Sequence, residues 1–155
     1  MKYDIKPYET REKCKGFYVW NKPTFFVKKD DERYENYVEF KKEHGFSPDE
    51  TWDLKTNIAV FIVPRLKEFK LDVENLGAHP GCFNSNEEWL TVLDKMIFAF
   101  ESYLKDDFYI PPEYLEKYTA DEYDSEGRKK AEEAYWNDIS EGRELFAEYF
   151  GCLWW

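Results

Sequence analysis

Twice in this chain a serine is followed three residues later by a glutamate and then by apolar residues at helical spacing: Ser47-Pro48-Asp49-Glu50 and Ser85-Asn86-Glu87-Glu88. In such a box the serine oxygen satisfies an orphan amide of the first turn while the glutamate reaches back to the cap's own amide, so each box marks a helix start. Pro48 strengthens the first, because a proline at the first helical position gives up only an amide that had no partner. Beyond it Leu54, Ile58, Phe61, Ile62, Leu66 and Phe69 recur three and four apart, which predicts one buried stripe. Beyond the second, Trp89, Leu90, Leu93, Met96, Ile97, Phe100 and Leu104 do the same and predict the principal core helix.

Two further segments carry helix signals. In "DDERYENYVEFKKEHG" acids open the segment, lysines and His44 close it, and Gly45 follows, as the helix dipole and a glycine stop require. Its inward side is Tyr34, Tyr37, Val38 and Phe40. The last helix spans about Gly127 to Cys152, with Ala134, Tyr135, Ile139, Leu145, Phe146, Tyr149, Phe150 and Leu153 as its buried set. Gly142 interrupts it at a cost of about 1 kcal/mol against alanine, so it signals either the close approach of another backbone or a local break. Between these elements, "LDVENLGAHPGCFNSN" is a connector, and "DDFYIPPEYLEKYTADEYDSEG" is a loop with room for one helical turn. Near the start, "FYVWNKPTFFVKK" reads as a short hairpin around Asn21-Lys22-Pro23 or as an extended arm whose rings fill gaps in a helical core.

The fold class is therefore mainly α: a compact bundle of about four helices, with a small N-terminal β-hairpin as the open option. One domain spans residues 1–155, with 1–45 as a variable arm or hairpin plus short helix and 46–155 as the helical core. Aromatic residues make up 20% of the chain, enough large rings for a substantial core. The formal charge of −11 disfavours direct contact with nucleic-acid phosphates or anionic lipid and favours a cationic partner. No apolar run approaches the roughly 18 residues of a spanning helix, and no signal-peptide core is present. Three cysteines without a CxxC pair suggest neither a disulfide framework nor zinc, and fit a reducing cytosol.

Several chemistries lack their residues. Neither Glu-x-x-His pairs nor His-Glu-x-x-His occur, so no metal or cofactor is expected, and His44 and His79 read first as surface or capping residues. No nucleophile elbow or phosphate loop is present, and Cys82 is a weak candidate nucleophile. No catalytic residue is assigned. The proline inside the second helix raises a sharper possibility: Pro64 removes the bond to the Val60 carbonyl, so the helix kinks there or ends and restarts, beside Arg65. A guanidinium fork suits phosphate or carboxylate, and Trp52 or Trp89 could stack on a base, so Trp52, Arg65, His79 and Glu101 form a candidate ligand set. The competing reading pairs Arg65 with Glu101 or Asp94 merely to fix helix register. Charge is also uneven: residues 1–42 are net +3, whereas 113–148 are net −7. Glu132, Glu133, Asp138, Glu141, Glu144 and Glu148 could mimic a duplex toward a basic protein, or simply solvate a helix.

The stretches "DETWDLKTNIAVFIVPRLKEFK", "HPG", "NEEWLTVLDKMIFAFE" and "EGRELFAEYFGCLWW", covering roughly residues 46–155, resemble a family of small uncharacterised proteins of tailed phages and prophages. Where that family pattern leads us to expect a second Asp, this chain has Lys55. The resemblance implies a setting rather than a chemistry: a protein of the host cytosol. In that setting the expected function is a non-enzymatic counter-defence binding protein. It would sequester a nucleotide-like signal through Trp52, Arg65, His79 and Glu101, or block a nucleic-acid-handling effector through the acidic residues, in the manner of an anti-CRISPR protein. The alternatives are a small nucleotide-processing hydrolase using Glu101 or Asp94 with His79, and a phage structural or assembly accessory protein.

Overall fold

The structure is a computed structural model and describes Thr24 and residues 27–105, 109–121 and 123–154. Among the described residues the order is α1 (Tyr34–His44), a 3₁₀ turn (Pro48–Asp53), α2 (Leu54–Leu76), α3 (Asn86–Ser102), α4 (Pro112–Tyr118), α5 (Ser125–Glu148) and a second 3₁₀ turn (Phe150–Cys152). The chain is mainly helical, and among these residues there is no strand. The segment proposed for a hairpin, around Asn21-Lys22-Pro23, lies outside the described residues. By contact the chain divides into two compact units, the first ending at Pro64 and the second beginning at Arg65.

In the first unit α1 ends as its sequence demands. Gly45 takes the left-handed conformation (φ 81°), and its amide bonds the Lys41 carbonyl at 2.8 Å. The serine box that follows opens a 3₁₀ turn before it opens the α-helix, and Glu50 accepts the Ser47 amide at 3.0 Å. The same Glu50 oxygen receives Lys41 Nζ at 2.6 Å, so the cap is tied to α1. Asp49 is buried and accepts the Val27 amide at 3.1 Å together with the Ser47 hydroxyl. A carboxylate out of water needs such donors, and here they come from chain positions on either side of α1.

The face that α2 buries agrees with the expected one at Leu66 and departs from it nearer the start of the helix. Leu54, Ile58 and Phe61 are 55%, 47% and 43% exposed, whereas Thr56, Ala59, Val60 and Val63 are buried. "TNIAVFIV" is apolar on more than one side, so two stripes satisfy the helical repeat. The stripe of smaller side chains turns inward, where it permits closer packing. Helix α2 is assigned without interruption across Pro64, so it neither ends nor restarts there.

The second unit is built on α3 and α5. Ser85 caps α3 by accepting the Glu88 amide at 3.3 Å, while the Glu88 carboxylate turns back one residue further, to the Asn84 amide at 2.9 Å. Trp89, Leu93, Met96, Ile97 and Ala99 are buried, matching the inward side read from spacing for the first four. Helix α5 lies along α3. At Gly142 an added Cβ would fall on the Lys95 carbonyl oxygen and 2.6 Å from the Ala99 Cβ, so this glycine marks a close approach rather than a break. The end of α2 is held to α3 by Lys67–Glu101 at 2.5 Å and Lys70–Asp94 at 2.6 Å, and Lys95–Glu141 at 2.5 Å joins α3 to α5. The Asn86 side-chain amide closes the α2–α3 connector by donating to the carbonyls of Val73 (3.3 Å) and Ala78 (2.6 Å).

The long loop expected after α3 contains a two-turn helix, α4, started by Pro112. It packs on α5 through the rings of Phe98, Tyr114 and Tyr135, with Tyr114 and Tyr135 centroids 5.3 Å apart. The Tyr114 hydroxyl donates to the Asp138 carboxylate. Burial, reinforced by that carboxylate, holds the Tyr114 phenol above its ordinary range. Burial likewise pushes Tyr135 up to about 12.

Candidate functional site

The connector after α2 folds back on the end of the chain. Pro80 to Phe83 form a turn, with the Phe83 amide on the Pro80 carbonyl at 3.0 Å. Phe83 then packs against both Trp89 and Tyr149 with ring centroids 5.0 Å away in each case. Beneath this contact lies a cavity of about 230 Å³ lined by Val73, Ala78, His79, Pro80, Trp89, Cys152 and Trp154. Trp89 is buried at its base, whereas Trp154 is 76% exposed. The lining is apolar apart from His79, whose Nδ1 lies 3.2 Å from the Pro80 carbonyl oxygen, and the thiol of Cys152. Such a surface suits a flat apolar group. It offers no lysine or arginine to a phosphate.

The four residues proposed as a ligand set are distributed differently. Trp52 is exposed in the first unit's 3₁₀ turn. Arg65, His79 and Glu101 belong to the second unit. Arg65 is exposed on α2 and is not among the lining residues of the His79 cavity. Glu101 pairs with Lys67, and Asp94, the other acid considered for Arg65, pairs with Lys70. Trp89 does reach the cavity with His79. The contribution of Cys152 and Trp154 was not foreseen: Trp154 follows the last helix as an apolar tail, and only that apolarity pointed to a docked chain end.

The six acidic residues proposed on the last helix are all exposed. At about 100° per residue, Glu133, Glu141, Glu144 and Glu148 fall within a sector about 80° wide on the side away from the buried Ala131, Tyr135, Ile139 and Gly142. Glu132 points elsewhere around the helix. Asp138 is engaged by Tyr114 and Glu141 by Lys95, while Glu148 bonds the neighbouring Tyr149 hydroxyl, which raises that phenol's pKa. The outer face of α5 thus carries Glu133, Glu144 and Glu148, with Glu141 at the edge tied to α3.

Among the described residues, no group of three or more His, Cys, Asp or Glu side chains is arranged to hold a metal. No helix of the described residues is long and apolar enough to cross a membrane. No family model, curated protein or solved structure matches this chain.

Proposed function

We propose that this protein is a non-enzymatic counter-defence binding protein of phage origin that blocks a nucleic-acid-handling effector of the host, with the outer face of α5 occupying a basic surface otherwise used for phosphates. One observation carries this reading. The 24-residue helix α5 presents Glu133, Glu144 and Glu148 on its outer face, with Glu141 at the edge. The stretch from Glu133 to Glu148 extends about 22 Å, roughly two-thirds of one turn of a duplex. The net charge of −11 adds long-range steering toward a cationic partner. The phage-family resemblance supplies the setting.

Sequestration of a nucleotide-like signal receives less support, because the apolar His79 cavity lacks the cationic groups that bound phosphates need. A hydrolase using Asp94 or Glu101 would have to free a carboxylate already paired with a lysine. The test is inhibition of DNA cleavage by a panel of RNA-guided nucleases, with the triple variant Glu141→Lys, Glu144→Lys, Glu148→Lys as control. The reading expects salt-sensitive inhibition that the triple variant loses by at least tenfold while remaining folded. Inhibition unaffected by charge reversal, or nucleotide turnover by the purified protein, would overturn it.

A further inference from the structure

The turn at Pro80–Phe83 and the 3₁₀ turn at Phe150–Cys152 bring together two cysteines seventy residues apart in sequence, Cys82 and Cys152. Neither is in a disulfide; Cys82 is exposed and Cys152 half-buried. The Cys82 thiol is a near neighbour of the Cys152 thiol. The backbone around them is anchored, since Phe83 beside Cys82 packs on Tyr149, and the Cys152 amide bonds the Tyr149 carbonyl at 2.8 Å. A bond of about 2.05 Å between the two sulfurs requires the two side chains to turn toward each other on this anchored backbone.

We propose that Cys82 and Cys152 are a reversible dithiol–disulfide pair, oxidised by low-molecular-weight disulfides such as oxidised glutathione. The exposed Cys82, as thiolate, attacks one sulfur of the disulfide; the S–S bond of the reagent breaks, a mixed disulfide forms on Cys82, and one small thiolate leaves. Cys152 then gives up its proton and attacks the Cys82 sulfur, forming the Cys82–Cys152 bond and releasing the second small thiolate. Two protein thiols have lost two electrons and two protons, and one small disulfide has become two thiols. Burial first, and the neighbouring Cys82 second, raise the Cys152 thiol above its ordinary range. Closure therefore accelerates as pH rises.

The bond has a structural consequence. Cys152 lines the His79–Trp89 cavity with Trp154, so oxidation ties this wall of the cavity to the Pro80–Phe83 turn. The pair was invisible to sequence reasoning because no motif spacing links positions 82 and 152.

The experiment incubates the full-length protein with oxidised glutathione, traps remaining thiols with maleimide and reads intact mass and peptide linkage. The expected product has lost two hydrogens, keeps one alkylatable thiol at Cys14, carries a Cys82–Cys152 cross-link and reverts with dithiothreitol. Cys152→Ser should stop at a glutathione adduct on Cys82, and Cys14→Ser should leave closure unchanged. A persistent adduct on wild-type Cys82 without closure, a cross-link through Cys14, or three unreacted thiols would each overturn the proposal.

Discussion

Gly142 has no room for a methyl group, because the Lys95 carbonyl oxygen already occupies the space where a Cβ would stand. Alanine would gain about 1 kcal/mol of helix propensity. Against that stands overpacking, which costs about 1–3 kcal/mol where side chains can yield and more where the obstacle is backbone. Gly142→Ala is therefore expected to lower stability by about 1–3 kcal/mol net, read as a reduced midpoint in denaturant; an unchanged or higher midpoint would contradict the close approach. Tyr114 and Tyr135 give a second residue-scale expectation. Both phenols titrate above their ordinary value in the folded protein, Tyr135 near about 12. An unfolded tyrosine releases its proton near about 10, so above that pH the unfolded chain holds fewer protons than the folded one. The stability these groups contribute is complete below about pH 10 and is lost as pH climbs from there through the folded values. Phenolate absorbance should show a late-titrating fraction that shrinks in Tyr114→Phe and Tyr135→Phe and merges with the ordinary tyrosines on unfolding.

At the scale of elements, Pro64 is the anomaly, since α2 runs through it without a break. An interior proline forfeits a backbone bond at about 3 kcal/mol, while its stiffness in the unfolded chain returns up to about 1 kcal/mol. Pro64→Ala should accordingly raise stability by about 2–3 kcal/mol in thermal or denaturant melts, and a loss would show that the native helix depends on the ring. This element also shows where sequence reading succeeds and fails. The helix itself follows from Ser47-Pro48-Asp49-Glu50, because capping is local chemistry. Its buried face does not, because "TNIAVFIV" offers two stripes and only tertiary packing selects Ala59 and Val63 over Leu54 and Ile58. Helix α3 was legible at Trp89, Leu93, Met96 and Ile97, whereas Ala99 is buried by the close approach of α5 that Gly142 permits. Charge alone groups the six acids of α5, and Glu132 and Asp138 lie off its outer face. The His79 cavity could not be read from spacing, since its walls come from α2, the connector and the chain end.

For the whole molecule the dominant quantity is charge. A formal −11 on 155 residues makes the folded state repel itself. Raising salt from about 0.01 M to about 0.15 M shortens the screening length from ~30 Å to ~8 Å, so the melting temperature should rise over that range. A fall would mean that pairs such as Lys67–Glu101 and Lys70–Asp94 outweigh the general repulsion. Glu50 adds a different consequence. Its carboxylate answers the Ser47 amide and Lys41 of the preceding helix at once, so a Glu50 that lets go takes a partner from both. Fraying, which usually begins at helix ends one residue at a time, is at this carboxylate a joint event across two helices.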